Sequence, residues 1–257
     1  MAEFESYAPG TPSWVDLASP DVSVTHRFYG DLFGWDVAET GPDMGGYAMF
    51  TLKGRNVAGV MPSQGDGQPA AWSTYVSVAD ADATIDKVRA AGGTVLVEPT
   101  DVPGAGRMAV FVDVTGAALG LWQPDGHPGA GLANEPGAFC WNELQTRDTE
   151  AATAFYRTVF GWDARSSAMG DVTYTEWHLG EPAIGGMLSM PAEVPAEVPA
   201  YWLTYFAVED CDAALARAVE LGATTLVPPM DVEPGRFAVL TDPTGAAFAV
   251  IAMPPAG

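Results

Sequence analysis

The feature that most restricts what this chain can fold into is that it repeats itself. Trp14-Val-Asp-Leu stands 127 residues before Trp141-Asn-Glu-Leu, and Phe28-Tyr29 with Phe33-Gly34-Trp35 precedes Phe155-Tyr156 with Phe160-Gly161-Trp162 at the same offset. The offset widens to 130 by Trp72 and Trp202, because the second copy carries a longer connector, Pro191-Ala-Glu-Val-Pro-Ala-Glu-Val-Pro-Ala200. Its prolines fix φ and remove donors, which predicts a loop. Further on, Gly92 answers to Gly222, Asp113 to Asp242, and Thr115-Gly116 to Thr244-Gly245. A chain of 257 residues has room for two domains of about 100–150 residues. We place them at 1–128 and 129–257, joined within the Gly/Pro-rich stretch Pro124–Gly137 with the boundary near Gly129.

Each half divides again. Trp14–Leu17 reads as a short strand, and Ser19-Pro20-Asp21 supplies a helix start with proline at N1. Val24, Phe28 and Leu32 then form a stripe at i, i+4, i+8, and Gly34 is placed to end the helix in the left-handed conformation. Three strands follow, over Trp35–Ala38, Tyr47–Leu52 and Val57–Met61. The same order recurs with Ser73–Val78, a helix carrying Ile85 and Val88, then Thr94–Val97, Met108–Val112 and Leu119–Trp122. The whole chain therefore reads as four βαβββ units, an α+β fold.

Composition narrows the partners. With 48% hydrophobic and 17% charged residues the chain can bury a core, which excludes a disordered protein. Its formal charge of −22 repels phosphate backbones and anionic bilayers, so neither nucleic acid nor membrane is an expected partner. No apolar run approaches the roughly 18 residues of a membrane span, and the start Met1-Ala-Glu-Phe-Glu-Ser6 is neither basic nor apolar, which points to the cytoplasm. Cys140 and Cys211 lack zinc or redox spacing and read as small core residues. Gly-x-Ser-x-Gly and His-Glu-x-x-His are both absent. Pro103-Gly-Ala-Gly-Arg107 reads as a hairpin turn rather than a phosphate loop, because its repeat partner Glu233–Arg236 is one residue shorter.

Four βαβββ units, with Phe-Tyr-x₃-Phe-Gly-Trp after the first helix of each half and Asp-x-Thr-Gly before the last strand, resemble the vicinal oxygen chelate superfamily of glyoxalases, bleomycin-resistance proteins and extradiol dioxygenases. The resemblance covers nearly the full length, and it is similar above all to two-domain actinobacterial glyoxalase-like proteins, some from polyketide antibiotic pathways. It implies that each half curls a mixed sheet into a cup. In metal-dependent members, four strands of the cup carry His, Glu or Gln ligands. By register the resemblance puts those positions at Trp14, Met49, Ser73 and Gly120 in the first half, and at Trp141, Glu176, Leu203 and Ala249 in the second. One carboxylate cannot hold a metal, so no cofactor is expected.

If Trp14 faces into its cup, strand alternation places Asp16 beside it, and the repeat places Glu143 beside Trp141. Tyr47, Met49 and Thr51 correspond to Tyr174, Glu176 and His178, so the second cup is expected to gather Glu143, Glu176 and His178 and to be the more polar. Carboxyls desolvated against indole rings acquire raised pKa values suited to acid–base work. Structural alternatives stand beside these roles: Asp16 as a helix cap or arginine partner, Glu143 paired with Arg147, and Glu176 and His178 facing solvent after a one-residue slip. His127 follows the last strand of the first half, either reaching over a ligand or lying in solvent, and His26 reads as structural. Trp14, Tyr47, Trp72, Tyr75 and Trp122, with Trp141, Tyr174 and Trp202, fall in or beside the cups and suit a flat, apolar, aromatic small molecule.

These readings favour a metal-independent catalyst of dehydration, aldol-type closure or cyclisation of a polyketide-like aromatic metabolite, with Asp16, Glu143 and His178 carrying protons. A non-catalytic protein sequestering a planar drug is the alternative, and keto-aldehyde processing a third. The halves are expected to pair within one chain about a pseudo-two-fold axis, as a monomer, or to form a homodimer.

Overall fold

A computed structural model describes residues 3–41, 44–65, 67–169, 172–191 and 194–254. Met1 and Ala2 of the leader reading, and Ala192 and Glu193 of the proline-rich connector, lie outside the described residues.

The first half contains β1 (Pro12–Ser19), α1 (Val22–Phe33), β2 (Asp36–Glu39), β3 (Ala48–Leu52) and β4 (Arg55–Pro62). It continues with β5 (Ala71–Ser77), α2 (Ala81–Ala90), β6 (Thr94–Val102), β7 (Gly106–Val112) and β8 (Ala118–Pro124). The second half repeats this as β9 (Phe139–Thr146), α3 (Thr149–Phe160), β10 (Asp163–Met169), β11 (Val172–His178) and β12 (Ala183–Ser189). Then come β13 (Tyr201–Ala207), α4 (Cys211–Glu220), β14 (Thr224–Val232), β15 (Gly235–Thr241) and β16 (Ala247–Ala252). Each helix starts on an aspartate, Asp21, Asp80, Asp148 or Asp210, whose carboxylate accepts a backbone N–H of the first turn. Pro20 thus precedes the cap rather than occupying N1, since Asp21 supplies the acceptor a proline cannot. Gly34 and Gly161 close α1 and α3 at φ 73° and 75°, where a Cβ would be strained.

Each half forms one eight-stranded mixed sheet, ordered β2-β3-β4-β1-β5-β8-β7-β6 in the first and β10-β11-β12-β9-β13-β16-β15-β14 in the second. The units of a half meet through their opening strands, β1 antiparallel to β5 and β9 antiparallel to β13. Such a sheet, curled by strand twist, has a concave face and a face covered by helices. On β1 the alternation is plain: Val15 and Leu17 are fully buried towards the helices, while Trp14 and Asp16 line the concavity.

The two halves pack helix side to helix side, α1 against α4 and α2 against α3. The repeated aromatics build this seam. Tyr29 donates to Asp242 Oδ2 of the other half at 3.1 Å, and Tyr156 donates to Asp113 Oδ2 at 2.6 Å. Trp35 Nε1 donates to Gly137 O at 2.6 Å and Trp162 Nε1 to Gly10 O at 2.7 Å. Both aspartates use their other oxygen to hold the Asp-x-Thr-Gly turn, accepting from the N–H and hydroxyl of Thr115 or Thr244. A motif with the look of a local turn therefore fastens one half to the other.

Trp72 and Trp202 belong to this seam and not to the cups. Trp72 Nε1 donates to Tyr29 Oη at 2.9 Å, its ring 5.1 Å from that of Phe206, and Trp202 Nε1 donates to Tyr156 Oη at 3.0 Å. The reason is parity: Trp72 and Tyr75, like Trp202 and Tyr205, stand at an odd offset, three positions, so each pair straddles its strand. The stripe on α1 is also rotated. Thr25, Phe28 and Tyr29 are the buried residues, whereas Val24 and Leu32 are half-buried, because the helix turns towards the second half as well as its own sheet. Of the cysteines, Cys211 is buried at the start of α4 and Cys140 is half-buried on β9.

Candidate active site

The concavity of the first half holds a cavity of about 210 Å³. Trp14 and Asp16 of β1, Tyr75 of β5 and Trp122 of β8 enter it from the centre of the sheet, with Tyr47 ahead of β3. Two glycines make room for the phenols: a Cβ on Gly59 would collide with the Tyr47 hydroxyl, and one on Gly120 with the Tyr75 ring. Tyr47 is held by Trp14, whose indole N–H donates to its hydroxyl at 3.0 Å. Both phenols face the Asp16 carboxyl as hydrogen-bond donors. Asp16 is only 4% exposed. Loss of water pushes its pKa up to about 7, against the opposing pull of Tyr75 and Tyr47. The same burial, with the aspartate's charge, drives both tyrosines well above their ordinary range and keeps them protonated.

His127 also lies in this cavity. Its backbone N–H donates to Ala105 O at 3.0 Å and its carbonyl accepts from Trp122 Nε1 at 2.7 Å, which folds the segment between the halves back over the cup. The imidazole stands edge-on to Trp14, ring centroids 4.5 Å apart. Burial lowers its pKa to about 4, so it is neutral. Met44, Met49, Met61 and Met108 supply much of the remaining wall. Sequence reasoning placed only Met49 near the cup; β4 parity could have added Met61, but nothing local marks Met44 or Met108.

The second cup repeats the arrangement with changes. Glu143, 5% exposed, accepts from Tyr205 Oη at 3.0 Å and from Gln145 Nε2 at 2.6 Å, and Tyr174 also donates to it. Trp141 Nε1 donates to Tyr174 Oη at 2.8 Å, as Trp14 does to Tyr47. Burial raises the Glu143 pKa while these three donors lower it. Gln145 shares the face of Trp141 and Glu143 along β9, so strand alternation alone marks its place in the cup. Arg147 is no partner of Glu143; it donates to the carbonyls of Val194, Pro195 and Val198 and so anchors the proline-rich connector.

The expected trio of Glu143, Glu176 and His178 is not one cluster. His178 is buried, but its ring meets Glu181 O at 3.0 Å through Nδ1 and Glu176 Oε2 at 3.4 Å through Nε2. Glu176 remains half-exposed, and the hydrogen bonds of Glu143 go to tyrosine and glutamine instead. Along β11 His178 keeps the alternation with Glu176; the register shift falls on β12, where Ile184 is skipped, and His178 stands at the end of its strand, two residues beyond the Glu176–Gly186–Glu143 row. His26, beside Phe50 at 5.6 Å between ring centroids, belongs to the core beneath α1.

The positions that carry ligands in metal-dependent relatives do not fit a metal here. The register pairs Trp14 with Tyr75, Asp16 with Ser73, Tyr75 with Gly120 and Met49 with Gly59, so the first cup offers indole, thioether, hydroxyl and glycine where imidazole and carboxylate are needed. In the second cup, Trp141, Leu203 and Ala249 leave Glu176 as the sole donor among the four. No group of three His, Cys, Asp or Glu residues suited to a metal ion occurs among the described residues.

Residues 11–121 match the model of the Glyoxalase/Bleomycin resistance protein/Dioxygenase superfamily, and residues 141–251 match that of a glyoxalase-like domain. The chain belongs to this superfamily, as a tandem of two such domains. CFP32 of Mycobacterium tuberculosis, provisionally named a glyoxylase, is 42% identical over 98% of both chains. The anthracycline biosynthesis protein DnrV of Streptomyces peucetius is 40% identical over 95% of this chain and 94% of its own. Among solved structures, the Mn(II)-bound glyoxalase from Novosphingobium aromaticivorans superposes with a TM-score of 0.68 at 18% identity, covering 95% of this chain and 82% of that one. The 2,2',3-trihydroxybiphenyl 1,2-dioxygenase of Sphingomonas wittichii strain RW1 gives 0.66 at 15%, covering 95% and 91%. These two likenesses speak for the fold alone. Among the described residues no helix is long and apolar enough to cross a membrane.

Proposed function

We propose that the first cup binds an aromatic, polyketide-like metabolite and carries out metal-independent acid–base chemistry on it, of the dehydration, aldol-closure or cyclisation type. One observation carries the reading: a buried carboxyl with a pKa of about 7, facing a cavity walled by tryptophan and methionine and flanked by two phenols. Such a carboxyl is present in both protonation states near neutral pH, so Asp16 can take a proton from an activated carbon or give one to a departing hydroxyl. Tyr47 and Tyr75, held protonated, donate to whichever oxygen gains charge. The relationship to an anthracycline biosynthesis protein favours a substrate of fused rings. At about 210 Å³ the cavity is smaller than the ~300 Å³ at which drug-sized sites begin, so it takes one end of such a molecule. In this reading the protein works as a single-chain monomer, the halves standing in for two subunits, and requires no cofactor.

The test is incubation of the protein with aromatic polyketide intermediates, with mass analysis of what returns. Conversion that survives chelation and is lost in Asp16→Asn supports the proposal. A ligand bound and recovered unaltered makes the protein a sequestering one. Dependence on an added divalent ion, or turnover of a keto-aldehyde instead, overturns the proposal.

A further inference from the structure

The carboxyl of the first cup is reached by an indole through a phenol. Asp16 and Gly59 are partners in the parallel pairing of β1 with β4. The Tyr47 hydroxyl fills the space a side chain on Gly59 would need: a Cβ there would collide with the phenol oxygen and stand 3.1 Å from the Cβ of Asp16. Trp14 Nε1 donates to that oxygen at 3.0 Å, which leaves the phenol its own proton to give, and Asp16 accepts it. The second half repeats the arrangement. Gly186 pairs with Glu143, a Cβ on Gly186 would collide with the Tyr174 hydroxyl, and Trp141 Nε1 donates to Tyr174 Oη at 2.8 Å. The seam uses the same chain of groups, Trp72 to Tyr29 to Asp242 and Trp202 to Tyr156 to Asp113, but there the aspartate's other oxygen is tied to its own turn. In the first cup the chain ends instead on a carboxyl that lines a cavity. Tyr75, the other phenol on Asp16, lacks such an indole, since the cup's second tryptophan, Trp122, donates to His127 O.

Resting on the reading of Asp16 as this cup's proton carrier, we propose that Trp14 is a positioning residue: through Tyr47 it directs a phenolic proton onto Asp16, and it leaves Tyr75 as the phenol free to turn to a ligand oxygen. The physical basis is polarisation along the chain. A hydroxyl that accepts a hydrogen bond becomes a stronger donor of its own proton, so the indole strengthens the donation from Tyr47 to Asp16. A stronger donor favours the ionised carboxyl and opposes the burial that favours the neutral one. Without the indole, the Tyr47 hydroxyl is free to rotate and Asp16 holds its proton to higher pH.

Trp14→Phe keeps a ring and removes the donor. Carbon-13 shifts of labelled side-chain carboxyls, followed through a pH titration, should show the Asp16 midpoint rise by at most about one pH unit, the weight of one neutral hydrogen bond. Trp141→Phe makes the same exchange of rings in the second cup and should leave the Asp16 midpoint in place. In a Tyr47→Phe background Trp14→Phe should add nothing, because the chain is already cut. In the native protein labelled with nitrogen-15 tryptophan, one indole N–H signal should titrate together with the Asp16 carboxyl, and Tyr47→Phe should abolish that response. On a substrate that the protein converts, the limb of the pH profile of kcat set by Asp16 should move to higher pH in Trp14→Phe by the same amount as the carboxyl. An Asp16 midpoint that Trp14→Phe leaves in place, or that Trp141→Phe moves equally, overturns the inference while Asp16 stands as the proton carrier. The absence of any indole signal that follows Asp16 overturns it too, whether or not Trp14→Phe folds. A carboxyl midpoint that moves while the kcat profile stays put removes Asp16 from the chemistry, and the functional reading falls together with the positioning role.

Discussion

The two cups descend from one pattern and have diverged at a few positions. Both keep tryptophan, carboxyl and paired phenols: Trp14, Asp16, Tyr47 and Tyr75 in one, Trp141, Glu143, Tyr174 and Tyr205 in the other. Around that shared centre the first cup has Gly120 beneath Tyr75, Ala18 two residues beyond Asp16 and His127 at its mouth. The second has Ala249 opposite Tyr205, and Gln145 bonded to its carboxyl. On its apolar side Phe237 packs against Tyr205, ring centroids 6.1 Å apart. Duplication supplied two copies of a buried carboxyl, and small changes left one facing a methionine-walled cavity while tying the other to an amide. Both carboxyls accept from two phenols; what separates them is a third donor, the Gln145 amide, on Glu143 alone.

The largest effect that would break this contrast is a loss of turnover from the wrong cup. Asp16→Asn should lower kcat by about 10²–10⁴-fold, the usual weight of a general acid or base, whereas Glu143→Gln should stay within about threefold. Steady-state rates of the two variants on one substrate decide it, and a reversed ranking would assign the chemistry to the second cup.

The next effect is on stability against pH. The folded-state pKa of Asp16 lies near 7, above its unfolded value of 3.8, so between those values the folded protein holds a proton that the unfolded chain has released. Stability must therefore fall as pH rises from about 4 to 7 and level off above, by an amount of order 4 kcal/mol. Glu143, also raised, adds to the same trend. Asp16→Asn should flatten most of this slope, as urea denaturation at pH 5 and pH 8 would reveal. An unchanged slope would mean that water reaches the carboxyl.

How far the sequence disclosed this can be judged from particular residues. The repeat, the four units and the carboxyls beside Trp14 and Trp141 were legible, because side-chain alternation and a fixed offset are local properties. Parity also sufficed to send Trp72 and Trp202 away from the cups, although counting aromatics near strands obscured it. That Glu143 would take tyrosine and glutamine as partners, and not His178, left no local sign. Nor did the fold-back of His127, which depends on Ala105 in the β6–β7 turn as well as on Trp122 of β8, or the seam made by Tyr29 with Asp242, which joins residues 213 apart. That seam provides the third measurement. Tyr29→Phe leaves Asp242 Oδ2 and Trp72 Nε1 without their partner, and Tyr156→Phe does the same to Asp113 and Trp202. Each should cost about 1–3 kcal/mol, and the two should be nearly equal and additive. Unequal costs would show that the halves do not contribute alike to the frame beneath the cups.

The smallest effect concerns the residue that most simply separates the cups. Gln145 Nε2 donates to Glu143 Oε1 at 2.6 Å and so favours the ionised carboxyl, and the repeat puts Ala18 at its place in the first half. Gln145→Ala should raise the Glu143 pKa further, because the ionised carboxyl loses a donor that favours it. Ala18→Gln should lower that of Asp16 if the amide reaches it. Carbon-13 chemical shifts of labelled side-chain carboxyls, followed through a pH titration, measure both. Should the two carboxyls exchange titration behaviour in the exchanged variants, a single amide accounts for the electrostatic division between the cups. If neither moves, the division comes from burial, and the packing of Phe237 on Tyr205 in the second cup becomes the feature that separates them.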